Sequence, residues 1–360
     1  MKAATGGRRN LIGCALLIAV GLVSTGVGLG ALRAGRTGTP STGGTVCSAT
    51  PASPPLGVYA GAASPSGVTS FADATGTRVT LASDYLPGNA GFAGMSDGQE
   101  LSWLLDPWRG SGCTLVLGVP MIPTDSSGAA SGTLAAGATG AYDGSFTTLA
   151  RTLVGAGFGD AILRLGWEFD GSWFPWSVSN ATQATDFARY WQQIVTAMRG
   201  VPGAAFRFDW NPIGGPTSWN IDQAYPGDAY VDYVGLDPYD QSSSTPLTPQ
   251  GSWKSLMTGP EGLDWLARFG AAHGKPLTLP EWGLSLQSDG QGLGDDPFFI
   301  NQMSSWIHSH SVAFTSYFDV DPGSGEYHAI TGGNFPSALL AFRADFGAAT
   351  TSPARFAPGT

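Results

Sequence analysis

From Leu56 to Phe318 the chain repeats one unit, a short apolar run rich in β-branched or aromatic residues followed by a longer stretch with apolar residues at helical spacing. The runs are Leu56–Ala60, Arg78–Ser83, Thr114–Val119, Ala161–Leu165, Ala205–Trp210, Tyr233–Leu236, Pro276–Leu279 and Val312–Phe318. Between them Gly144–Gly155, Thr182–Arg199, Gly262–His273 and Pro297–Ser309 read as amphipathic helices. In the second of these Phe187, Tyr190, Trp191, Ile194, Val195 and Met198 fall on one face. The first and last runs start 256 residues apart. That is about 37 residues per unit, the scale of a (β/α)8 barrel of ~250 residues. Strands that alternate with helices pair in parallel under helical covers. An open doubly wound sheet would produce a similar string, but no G-x-G-x-x-G follows the first run, and eight is the number that closes a barrel. The expected fold is a single α/β domain, a (β/α)8 TIM barrel over residues 56–346, with its chemistry where the strands end.

The N-terminus lies outside that repeat. Residues 10–32 carry no charge and are flanked by Arg8 and Arg9 before and Arg33 and Arg36 after, the pattern of an export signal or signal anchor. The paired arginines before a weakly apolar run resemble a twin-arginine signal. Residues 1–34 are therefore expected to be a signal peptide or a retained anchor, residues 35–55 a Gly/Ser/Thr/Pro-rich linker, and residues 347–360 a C-terminal tail. The expected location is secreted, or extracytoplasmic and membrane-anchored. Cys14 precedes the apolar run instead of following it, so lipidation is not expected. Beyond the leader only Cys47 and Cys113 remain, and two thiols in an exported chain predict one disulfide.

Charge narrows the partners. Residues 1–40 hold five of the 17 bases and none of the 27 acids, which leaves 12 bases against 27 acids in the rest of the chain. Such a surface does not suit nucleic acid or an anionic bilayer, so a membrane would be met only through the N-terminal segment. His273, His308, His310 and His328 form no H-E-x-x-H or related cluster, and no catalytic metal or cofactor is expected. A monomer is expected.

Two strand ends carry acids. The fourth run leads into Gly166–Trp167–Glu168–Phe169–Asp170–Gly171–Ser172–Trp173–Phe174–Pro175–Trp176, where aromatic neighbours would desolvate Glu168 and raise its pKa toward that of a general acid. The seventh leads into Pro280–Glu281–Trp282–Gly283. Glu168 and Glu281 are 113 residues apart, close to three βα units of about 37, which places both at the same level of one barrel face. Two carboxyls across a Trp-lined mouth are the machinery of glycoside hydrolysis, one donating a proton to the leaving oxygen while the other attacks or stabilises the anomeric centre. The plain alternative is an ion pair between Glu168 and Arg164. Trp167, Trp173, Trp176 and Trp282, grouped around the two acids, are candidate sugar contacts because flat rings stack on sugar C–H faces, and Asp170 among them is a candidate polar contact.

These segments resemble a known family. The run from Gly166 to Trp176 resembles the acid/base segment of glycoside hydrolase family 26, which includes β-mannanases, and Pro280–Glu281–Trp282–Gly283 resembles its nucleophile segment. The likeness spans roughly Gly57 to Phe346. It implies a retaining (β/α)8 glycoside hydrolase with Glu168 as acid/base and Glu281 as nucleophile. It also implies Tyr239, in Gly235–Leu236–Asp237–Pro238–Tyr239, as the tyrosine near the nucleophile, Trp173 as a contact to the leaving-group sugar, and Asn211, in Asp209–Trp210–Asn211–Pro212, as part of the segment after strand five. Two positions depart from the family's pattern. Trp167 stands where mannanases of the family usually have His, and Asp170 where Asn or Thr is frequent. An indole cannot make an imidazole's hydrogen bonds, so mixed-linkage β-glucan and β-1,3-xylan stand beside mannan as expected polysaccharide substrates. The rival from another class is a catalytically silent carbohydrate-binding barrel held at the cell surface. An α/β-hydrolase is disfavoured by the lack of a G-x-S-x-G elbow.

Overall fold

Eight parallel strands close into one barrel in the computed structural model, which describes residues 45–241, 247–323 and 325–348. They are β1 Leu56–Tyr59, β2 Val79–Tyr85, β3 Thr114–Val119, β4 Ile162–Leu165, β5 Arg207–Trp210, β6 Tyr233–Gly235, β7 Leu277–Trp282 and β8 Val312–Phe318. Each pairs with the next, and β8 closes against β1 with Leu56 opposite Thr315. Two strands run further than their apolar pattern. β2 reaches Tyr85 and β7 reaches Trp282, because Asp84, Pro280 and Glu281 interrupt the apolar signal while remaining buried in the fold.

Helices cover the barrel where the spacing predicts them. Asp143–Ala156, Ala181–Arg199, Leu263–His273 and Pro297–Ser309 match the four amphipathic stretches, with Pro65–Thr75, Pro249–Thr258 and Pro336–Phe346 among the others. The longest begins at Asn180, whose side chain accepts the Gln183 N–H, and buries the six residues named above together with Ala184 and Ala188.

Alternation along the strands builds the barrel interior in levels. At the bottom Leu81, Val116, Ile162 and Phe314 form an apolar cluster of their own. Two residues further along, the inward positions turn polar. Ser83 and Ser316 are hydrogen-bonded at 2.7 Å, Arg164 is 1% exposed, and Asp209 accepts from the Thr278 hydroxyl at 2.8 Å. The next inward positions, among them Tyr85 and Asn211, reach the mouth. Gly118 leaves room there, since a Cβ would stand 2.4 Å from the Tyr85 ring.

Residues 45–55, read as the end of the linker, belong to the barrel instead. Val46 and Cys47 donate to the Ser111 carbonyl, Ser48 donates to that of Val79, and Cys47 is bonded to Cys113. With a sequence separation of 66, the cross-link stabilises the fold by about 4 kcal/mol in the chain-entropy account. Residues 1–34, read above as a signal peptide or anchor, and all but the first two residues of the tail lie outside the described residues. Among those described, no helix is long and apolar enough to cross a membrane.

Candidate active site

Glu281 lies near the end of β7 with its side chain held from three directions. The Tyr239 hydroxyl donates to Oε1 at 2.7 Å. The Tyr85 hydroxyl donates to Oε2, and Arg164 donates to the same oxygen at 3.1 Å. Arg164 rises from β4 inside the barrel and is itself fixed by Asp237 at 2.5 Å and by the Asn211 amide oxygen at 2.7 Å. Asn211 completes the frame by donating to Asp237 at 3.0 Å. Burial alone would weaken the guanidinium's hold on its proton, but Asp237, Tyr85 and Glu281 more than reverse that and keep it charged. Two phenols and a guanidinium thus converge on one carboxylate and fix its orientation.

Glu168 is treated differently. It follows β4 after a sharp turn in which Gly166 has φ +50° and Glu168 itself φ +52°, a left-handed conformation that a glutamate adopts only when its surroundings impose it. Its backbone N–H is anchored on the Asn211 carbonyl at 2.8 Å, and the Trp173 indole N–H donates to Oε2 at 3.1 Å. The residue is 2% exposed. Burial, and after it the charge of Glu281, push its pKa up to about 8 against the pull of Arg164 and the Trp173 hydrogen bond. Charge counting points the same way. Glu168, Asp209, Asp237 and Glu281 share their buried surroundings with the single guanidinium of Arg164, and carboxylates that outnumber the cation would leave uncompensated charges out of water. Of the two that Arg164 does not bond, Glu168 and Asp209, Glu168 is the one that also faces the Glu281 charge. No Glu168–Arg164 ion pair forms, because the guanidinium is already taken.

The other candidates divide. Trp173 is half-buried beside Glu168, and Tyr239 touches Glu281. Trp167 packs its ring 5.2 Å from that of Tyr85 and 4.9 Å from those of Phe174 and Trp176. Trp176 supports this group from below, 3% exposed, stacked on Phe174 and donating to the Trp167 carbonyl at 3.0 Å. Asn211 spends its amide on Arg164, Asp237 and the Pro212 carbonyl. Asp170 accepts the backbone N–H groups of Ile213 and Gly214 at 2.8 and 2.9 Å, clasping the loop after β5 to that after β4. For Trp176, Asn211 and Asp170 the sugar-contact expectation is therefore replaced by a positioning one. Trp282 is corrected outright. It is 0% exposed and packs between the barrel and its helices against Tyr317, Phe299, Phe342 and Phe346, since adjacent residues on a strand face opposite sides and Glu281 occupies the inner one. Sequence reasoning overlooked Tyr85 and missed the role of Arg164. The available signal was an aromatic residue at the end of a strand and an arginine two positions beyond an inward isoleucine.

Residues 159–275, a window that holds Glu168, Arg164, Asn211 and Tyr239 and stops short of Glu281, match the family model Glycosyl hydrolase family 26. The match covers about a third of the chain and includes the first of the two acidic strand ends. A mannan endo-1,4-beta-mannosidase of Bifidobacterium adolescentis is 28% identical over 147 residues, 37% of this chain and 13% of that protein, so the aligned part spans about an eighth of that relative's length. Among solved structures, GH26C of Muricauda sp. superposes with a TM-score of 0.56 at 19% identity over 76% of this chain and 79% of that one. A modular endo-beta-1,4-mannanase of Cellulomonas fimi gives 0.55 at 20% identity over 76% and 64%. At such identities these two establish a shared fold, and this barrel adopts it with its acids at the ends of β4 and β7.

Proposed function

We propose that this protein is a retaining glycoside hydrolase of family 26 that cleaves a β-linked polysaccharide of the mannan type, or a related glucan or xylan, with Glu168 as acid/base and Glu281 as nucleophile. The observation that carries the reading is the unequal treatment of two neighbouring carboxyls: one held by three donors, the other buried with one indole N–H. Environments that push two acids apart are how one site runs acid and nucleophile chemistry together. In the first step protonated Glu168 gives its proton to the glycosidic oxygen as that bond breaks, while a Glu281 oxygen forms a covalent bond to the anomeric carbon. In the second, water, relieved of a proton by the Glu168 carboxylate, displaces Glu281. The positioned cluster of Arg164, Asp237, Asn211, Tyr85 and Tyr239 spares Glu281 reorganisation during the attack. The relatives' printed names support mannan first, and the leader supports an extracytoplasmic enzyme. Soluble glucomannan, galactomannan, mixed-linkage glucan and xylans incubated with purified protein, with products separated by chromatography, test the reading. Absence of cleavage of all of them would sink it.

Two further outcomes are expected. Because Glu168 holds its proton up to about pH 8, kcat/KM should be sustained below that value and fall about tenfold per pH unit above it. A profile already falling between pH 5 and 6 would reassign the acid. Trp173→Ala removes a ring beside the acid and its indole donor, and should cost about 1–3 kcal/mol in kcat/KM with the fold retained. Parent-like kinetics in a folded variant would remove Trp173 from the site.

A further inference from the structure

Of the four histidines only His328 is buried, at 1% exposed. It belongs to the loop after β8, which Asp321 folds back on itself by accepting the N–H groups of His328 and Ala329 at 2.9 and 2.8 Å. The His328 Nδ1 lies 2.8 Å from the Leu284 carbonyl oxygen. A carbonyl can only accept, so Nδ1 carries the proton and Nε2 a lone pair. Nε2 is out of solvent and has no hydrogen-bond partner in the protein, a cost that a phenylalanine of similar shape would avoid. Burial pushes the imidazole's pKa below the ordinary histidine value, against the Leu284 hydrogen bond and the charges of Glu326, Glu281 and Asp321. The ring is therefore neutral and adds no charge to the cluster around Glu281.

What that ring touches is Tyr239. The two ring centroids are 5.1 Å apart with the planes at 64°, an edge-to-face contact. Phe318, the last residue of β8, closes the group at 6.3 Å from Tyr239 and 5.8 Å from His328. The wall is tied to the strand that carries the nucleophile. The Tyr239 backbone is bridged to Gly283, two positions past Glu281. Leu284, the next residue, donates its N–H to the Tyr317 hydroxyl at 3.3 Å, and that hydroxyl donates to the His328 carbonyl at 3.1 Å. Leu284 and His328 are thus joined twice, directly through Nδ1 and indirectly through Tyr317.

We propose that His328 is a positioning residue for the nucleophile: by packing against Tyr239 it holds the phenol where its hydroxyl meets Glu281 Oε1. The inference rests on the hydrolase reading and deepens it. Tyr239 is tethered at its backbone by Gly283 and at its hydroxyl by Glu281 at 2.7 Å, and the ring between turns about two side-chain bonds. A rigid wall fixes those torsions, so the donor stays on Oε1 before, during and after the attack. Histidine serves where phenylalanine would not, because its Nδ1–H anchors the wall to the Leu284 carbonyl just beyond β7.

A double-mutant cycle separates positioning from mere packing. His328→Asn removes the ring and keeps an N–H for the Leu284 carbonyl. It should lower kcat on the cleaved polysaccharide about tenfold, with KM within about twofold of the parent's. In a Tyr239→Phe background no hydroxyl is left to aim, and there the same substitution should change kcat by less than about twofold. His328→Leu should show the same coupling and serves if the asparagine variant does not fold. Equal losses of kcat with and without the Tyr239 hydroxyl would make His328 a residue of the fold alone and overturn the proposal. Parent-like kcat in folded variants, or failure of both variants to fold, would overturn it too. A second readout needs no turnover. In protein labelled with ¹³C at the tyrosine Cζ, the Tyr239 resonance, identified by its loss in Tyr239→Phe, should shift in the folded His328 variant. An unmoved resonance would count against the proposal decisively. A parent that cleaves no glycan would sink the hydrolase reading alone, with the hold of His328 on Tyr239 then judged by that resonance.

Discussion

Glu281→Ala is expected to lower turnover of every glycan substrate by about 10⁴-fold or more, because no other group at the mouth can form the covalent intermediate. Glu281 accepts from Tyr239, Tyr85 and Arg164, so the alanine variant leaves those donors facing a gap. Glu281→Gln keeps the shape and should be as inactive, which separates lost chemistry from lost structure when the two are compared by thermal melting. The same mechanism fixes the stereochemistry. Retaining enzymes hold their carboxyls about 5–5.5 Å apart, too close for an attacking water between them. Proton NMR at early times should therefore show a first product with the anomeric configuration of the substrate, and a first product of inverted configuration would refute the double displacement.

Glu168→Ala should divide substrates by their leaving groups. Loss of general acid catalysis costs about 10²–10⁴-fold where the departing oxygen needs a proton, as in a polysaccharide, and far less for an activated aryl glycoside that leaves as a stable anion. With the acid removed, the glycosyl-enzyme also loses the base that activates water. Added azide, which needs no base, should restore turnover and give a glycosyl azide of retained configuration. The alkaline limb near pH 8 should vanish with the residue that causes it. If polysaccharide and aryl glycoside lose activity equally, and azide rescues neither, Glu168 acts by position and the acid is another group.

How far the site can be read before folding depends on which forces place each residue. The strand and helix pattern is local. β-Branched runs, 3.6-residue periodicity and caps such as Asn180 are written in neighbouring positions, so the eightfold repeat and the equal height of Glu168 and Glu281 follow from spacing alone. The ends of β2 and β7 are obscured in the sequence because Asp84, Pro280 and Glu281 break the apolar pattern while tertiary partners hold them in the strand. Trp282 could have been assigned to the helix-facing side by strand alternation, since Glu281 must face inward.

The protonation states and the division of labour were decided elsewhere. Arg164 lies 117 positions from Glu281, Tyr85 lies 196, and Asp237 lies 73 from Arg164. Only barrel closure brings them into one buried cluster, where a single guanidinium faces more carboxyls than it can pair. The sequence by itself determined a (β/α)8 chain with two acids at one mouth, because those facts are carried by short-range periodicity and by counting. The tertiary structure alone decided that Glu281 takes the three donors and Glu168 keeps the proton, because desolvation and charge pairing act through space between residues that the chain holds far apart.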